Sequence, residues 1–149
     1  MQNANFGNEQ PYGGGKDNAP FAQNVLLNTQ VSFAFAAGAA NVAEVAISLL
    51  DGHGDAVALS QPILVWLSDA ATGAGLTATS ASGTVQAKSA SGTDFAALTA
   101  KKALLVQPLA TGVYTLEITD TAKTGFYVAV QLPDGRVSVS RAMTSADYG

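Results

Sequence analysis

Apolar and polar residues alternate over short runs along most of the chain. Gln30 to Phe35 places Val31, Phe33 and Phe35 on one face, and Glu44 to Leu50 does the same with Val45, Ile47 and Leu49. Side chains of a strand alternate sides with a period of two, so each run predicts a half-buried β-strand. The stretch QPILVWLSD, from Gln61 to Asp69, is denser in apolar residues and suits a central strand. Its Pro62 sits at the strand start, where a missing amide is tolerated. Lys102 to Leu109, Val113 to Thr119, Phe126 to Leu132 and Arg136 to Arg141 complete the series, joined by ATG, DTAKTG and PDG, all turn chemistry. Leu76 to Ser80 and Thr84 to Lys88 predict weaker strands or loops at the edges, in a region of Ser, Thr, Gly and Ala.

The last hairpin shows how such a pattern fixes pairing. Phe126, Val128, Val130 and Leu132 share a face, as do Val137 and Val139 on the returning strand, and Pro133-Asp134-Gly135 reverses the chain. A slip of one residue would expose the whole apolar row, so the register is specified. About seven to nine strands at regular spacing, with turns between them, predict an all-β antiparallel sandwich. Two segments also fit a helix. Val42, Val45, Ala46, Leu49 and Leu50 follow helical spacing behind Asn41, and Asp94 to Val106 (DFAALTAKKALLV) pairs a capping Asp with strong helix formers. Their β-branched residues and flanking turns favour strands, with a helical turn near Phe95 to Ala100 left open.

Residues 1–24 differ from the rest. They are rich in Asn, Gln and Gly, carry Gly13-Gly14-Gly15 and lack periodicity, the composition of an extended arm. Phe6, Tyr12, Pro20 and Phe21 punctuate it. The expected organisation is this arm followed by one sandwich domain over 25–149.

Composition narrows the function classes. The 149 residues contain no cysteine, which excludes disulfides, thiolate metal sites and a thiol nucleophile. A net charge of −4 with only seven Lys and Arg argues against nucleic acid, whose phosphates are held mainly by those residues. No run approaches the ~20 apolar residues of a membrane helix. The first residues show neither a basic n-region nor an apolar h-region, so no secretory signal is expected. A chain only 12% charged and rich in Ala, Ser, Thr and Gly suits a protein covered by neighbours.

Candidate chemistry is sparse. His53, the single histidine, lies in Asp51-Gly52-His53-Gly54-Asp55. Ca²⁺ loops place oxygen ligands at alternate positions, and a His between two Asp resembles a zinc site. The alternate position between Asp51 and Asp55 is the His53 imidazole, a poor Ca²⁺ ligand, and no downstream Glu completes a cage. Two glycines and two aspartates also make a tight turn, which is the reading adopted: no metal and no cofactor. No Gly-x-Ser-x-Gly elbow surrounds any serine, and a triad would have to be built on His53 alone. Asp69, Glu117 and Asp120 fall near strand ends, the placement a two-carboxylate glycosidase would need, and chance supplies as much among 11 acids. No catalytic set is assigned, and the chain is expected not to be an enzyme. Trp66, inside ILVWL, is expected to be buried rather than to stack on a sugar, Tyr127 faces opposite to Phe126, and Tyr148 is a candidate partner contact.

From Val45 to Arg141 the order of elements resembles immunoglobulin-like domains of bacteria and phages. The resemblance rests on a strand ending LVWLSDA, a Ser/Thr/Gly-rich middle, and LLVQPLATGVYTLEITDTAKTGFYVAVQLPDGRVSVS. The Cys pair and the strand-C Trp of antibody domains are missing from the pattern, and a jelly roll is the alternative topology. The chain looks like small proteins encoded among the virion structural genes of tailed phages. That likeness implies a capsid decoration or cement protein located in the virion. Its partners would be the major capsid protein or another virion protein and further copies of itself. Phe6, Tyr12, Phe21 and Tyr148 are the expected contact residues. The alternative is a glycan- or host-binding module of a phage tail or cell surface.

Overall fold

The computed structural model describes residues 30–58 and 60–149. The proposed arm over 1–24, with Phe6, Tyr12 and Phe21, lies outside the described residues, as does the start of the expected domain at 25–29. Nine strands follow: β1 (Gln30–Ala37), β2 (Val42–Leu50), β3 (Ile63–Ser68), β4 (Val85–Ala87), β5 (Thr93–Thr99), β6 (Ala103–Gln107), β7 (Val113–Thr119), β8 (Tyr127–Gln131) and β9 (Val137–Ala142). One 3₁₀ turn, Ser145–Asp147, comes after them.

All strand pairs are antiparallel. They form a four-stranded sheet in the order β1-β2-β7-β4 and a five-stranded sheet in the order β9-β8-β3-β6-β5. These match the A-B-E-D and G-F-C-C′-C″ sheets of a variable-type immunoglobulin sandwich. The middle is threaded differently, because the strand in the D position precedes the pair in the C″ and C′ positions. The jelly-roll alternative is not the order seen.

The core lies between the sheets, where the alternation expected from the sequence delivers its apolar rows. Val45, Ile47 and Leu49 of β2 meet Tyr114, Leu116 and Ile118 of β7 on one side. Ile63, Val65 and Leu67 of β3 and Phe126, Val128 and Val130 around β8 supply the other. The PDG reversal is a turn closed by the Gly135 amide on the Leu132 carbonyl, with the Leu132 amide returning to the Arg136 carbonyl. That places Phe126, Val128, Val130 and Leu132 in the core as expected. Val139 pairs with Ala129 and Val137 with Gln131, so the two β9 valines lie on the outer face. A bulge after Val139 lets the buried Ser140 hydroxyl accept the Val128 amide.

Two readings left open by the sequence are decided by the fold. Leu76 to Ser80 is a loop rather than a strand. The Asp69 carboxylate gathers the Thr77 hydroxyl at 2.6 Å and the Ala78 amide at 2.8 Å, bending the chain back on itself. Phe95 to Ala100 carries no helical turn, because β5 pairs with β6 through a register shifted by two irregularities. Backbone pairing outweighs local helix propensity here.

Candidate functional site

The sequence's chemical candidates turn out to organise turns. Asp51 accepts the amides of His53 at 2.8 Å and Asp55 at 3.0 Å, and these bonds hold its carboxyl below the ordinary range. The Asp51–Asp55 segment is therefore a side-chain-stapled turn. Among the described residues no group of three or more His, Cys, Asp or Glu could hold a metal ion. Asp69 folds its own loop, as above. Burial would push the Asp120 carboxyl up, yet hydrogen bonds from Thr124 and Ser82 outweigh it and hold the group at about 2. Glu117 lies directly opposite Glu44, which pairs with Lys88 at 2.6 Å, and next to Gln86. Tyr148 faces the core rather than outward: it is buried, and its hydroxyl donates to the Thr124 carbonyl at 2.8 Å. Among the described residues no helix is long and apolar enough to cross a membrane.

What the strands do assemble is an apolar recess on the outer face of the five-stranded sheet. Ile63, Val65 and Leu67 point inward, so the same run sends Leu64 and Trp66 outward. Trp66 is therefore half-buried rather than buried. Its cross-strand neighbours are Ala103 on β6 and Ala129 on β8, too small to fill the space beside an indole. The loop after β3 covers the β8 side. Gly73 adopts φ +75°, and a Cβ there would lie 2.8 Å from Val139 Cγ2 and 3.2 Å from Ala129 Cβ, so only glycine permits this approach. Its carbonyl accepts the Trp66 indole N–H at 3.0 Å, which fixes the ring.

The side toward β5 stays open. A recess of about 250 Å³ remains, walled by Leu64, Trp66, Leu76, Leu98, Gly73 and Ala103. Leu98 is 58% exposed, Leu76 44%, and Phe95 on the same edge strand 52%. Every residue of β5 is exposed. Its two irregularities break the flat hydrogen-bonding edge that would invite strand addition, leaving side chains as the contact surface. The dense ILVWL run was a signal for this face, since an apolar strand with both faces lined by apolar residues needs a cover on each.

The recess offers shape and apolar surface and no reacting group. The Trp66 N–H is already used, and Leu, Ala and Trp side chains can bind but cannot move protons or attack. No protein-family model, curated protein or solved structure matches the chain.

Proposed function

We propose that the chain is a non-enzymatic virion structural protein, a decoration or cement protein on the head of a tailed phage. One observation carries the reading. Leu76 and Leu98 stand exposed at an apolar recess of the sandwich, and Phe95 is exposed on the same edge strand as Leu98. Contiguous apolar surface of this kind marks a contact site, and the resemblance of Val45–Arg141 to phage immunoglobulin-like domains supplies the kind of partner. The mechanism is mechanical. A sandwich seated on the shell buries apolar area at about 25 cal/mol per Å², and symmetric repetition lets modest contacts hold many copies. The arm expected over 1–24, with Phe6, Tyr12 and Phe21 as apolar anchors, would extend that contact to a neighbour.

The apolar walls favour a protein ligand over a sugar, which needs polar groups around a stacking ring. The direct experiment is mass spectrometry and imaging of purified phage particles whose genome encodes the chain. Many copies on the shell are expected. Absence from the particle, together with binding of isolated protein on a glycan array, would replace this reading with the adhesin-like one.

A further inference from the structure

We propose that β1 is a strand-pairing edge and that a second copy of the chain adds its own β1 there, whether or not the protein serves a virion.

The two sheets end in β1 and β4 and in β9 and β5. Three of these edges are blunted in ways that keep further strands from adding. β4 is three residues long, β5 carries two irregularities in its register, and β9 has a bulge after Val139. β1 has none of these devices. It runs for eight residues, QVSFAFAA, without proline or charge, and pairs with β2 in unbroken register from Gln30 opposite Leu50 to Ala37 opposite Ala43.

The backbone on the far side of β1 is open. Leu49 turns its amide to the Gly112 carbonyl, on the β7 side of β2. In an antiparallel pair, opposite residues turn their N–H and C=O either toward each other or both away, in alternation. Val31, Phe33 and Phe35, opposite Leu49, Ile47 and Val45, therefore aim theirs away from β2. Those groups have no hydrogen-bond partner among the described residues. Their side chains pack on the core yet stay half-buried, whereas Val45, Ile47 and Leu49 are fully covered. A strand added to β1 would pair the open groups and cover the apolar row.

Charge selects the occupant. Each copy carries a net −4, so two copies repel wherever charged surfaces meet. The β1 edge is uncharged, and charges beside it are already paired. Arg141, stacked on Phe35, holds Asp147, and Glu44, opposite Ala36, holds Lys88. A second copy brings the same apolar row and the same open groups, related by a two-fold axis. Matching open group to open group puts Phe33 or Ala34 on that axis, pairing residues 30–36 or 31–37 with their copies. Either register sets Phe33 opposite an aromatic ring of the other copy, Phe33 or Phe35, a favourable cross-strand pair. Size sets the strength. An eight-residue edge about 27 Å long, on sheets about 10 Å apart, presents on the order of 500 Å². That is less than the ~800 Å² per partner of a standard interface, so the dimer forms reversibly and depends on concentration.

Sedimentation velocity of the full-length chain, from about 1 μM to about 1 mM, should show reversible dimerisation. Ala34 is exposed and lies on or beside the axis in both registers, so a charge placed there meets its own copy. Ala34→Lys and Ala34→Glu should each weaken the dimer at least about tenfold. An equimolar mixture of the two variants should recover it as a heterodimer. A full-length chain that stays monomeric throughout would overturn the proposal, the edge then belonging to the chain's own remaining residues or to a different protein. So would a dimer that both variants leave intact, because its contact would lie on another face. A mixture no tighter than either variant alone would overturn it as well.

Discussion

The hydroxyl of Tyr114, on the four-stranded sheet, donates to the carboxylate of Asp94, on the five-stranded sheet, at 2.7 Å. The second Asp94 oxygen accepts the Ala87 amide at 2.8 Å, so one exposed side chain clamps β5 to both β4 and β7. Tyr114 is otherwise sealed in the core. Asp94→Ala leaves a buried phenol without its partner and should destabilise the domain by about 1–3 kcal/mol, whereas Tyr114→Phe removes donor and need together and should cost about 1 kcal/mol. Urea unfolding of the two variants tests the order. Asp94→Ala equal to or milder than Tyr114→Phe would show that the clamp carries no weight.

The same tyrosine predicts alkaline behaviour. Burial, then the hydrogen bond to Asp94, pushes the Tyr114 phenol far above its ordinary value of 10.0, and burial pushes Tyr148 up as well. The unfolded chain releases these protons near pH 10 while the fold retains them. Stability is therefore intact below about pH 10 and falls as pH rises beyond it. Ultraviolet titration of phenolate should show two tyrosines that ionise only as the protein unfolds.

Acid acts through Asp120 and Asp147. Asp120 is held at about 2 by Thr124 and Ser82 against the opposing effect of burial. Asp147 is held at about 2 by its paired hydrogen bonds with Arg141, again against burial, with help from Thr144. Both folded values lie below the unfolded one near 3.9, so their stabilisation is present above about pH 4 and lost as pH falls toward 2. For the buried Asp120 the loss is on the order of 2 kcal/mol. Asp120→Asn should be weaker than the unmodified chain at neutral pH and lose less on acidification. A parallel acid response in both would assign the effect elsewhere.

Gly73→Ala tests the loop that shapes the recess. The new methyl meets Val139 and Ala129, and the left-handed backbone is strained for any other residue. A loss of about 1–3 kcal/mol is expected, with a change in Trp66 emission as the indole loses its carbonyl partner. A stable variant with an unchanged spectrum would mean the loop does not fix the ring.

Paired changes at the rim separate contact from folding. Phe95→Ser with Leu98→Asp alters two exposed side chains on an edge strand. Stability should move by no more than about 0.5 kcal/mol per site, while, if the proposed decoration role holds, association with phage particles should fall sharply in cosedimentation. Full retention of binding would place the contact on another face.

Much of the fold is legible in the residues. Val45, Ile47 and Leu49, the row Phe126 to Leu132, and Val113–Thr119 lie where a two-residue period puts them. The Asp51–Asp55 turn reads directly from its glycines and carboxylates. The sequence leaves two segments open: Leu76 to Ser80 for want of a clear apolar alternation, and Phe95 to Ala100 because FAALTA suits a helical turn as well as a strand. Hydrogen bonds from elsewhere chose their shape. Asp69 bends the first, and pairing with β6 extends the second.

By itself the sequence determined which side chains had to be hidden, because alternation along a strand is a local property that any folded state must satisfy. Only tertiary structure decided which strands became neighbours. Two alanines on different strands meet Trp66, and Gly73 can close one side of it while Leu98 leaves the other open. The recess and the Tyr114–Asp94 clamp join residues far apart in the chain. No local period encodes them, since they arise from the order of strands across and between the sheets.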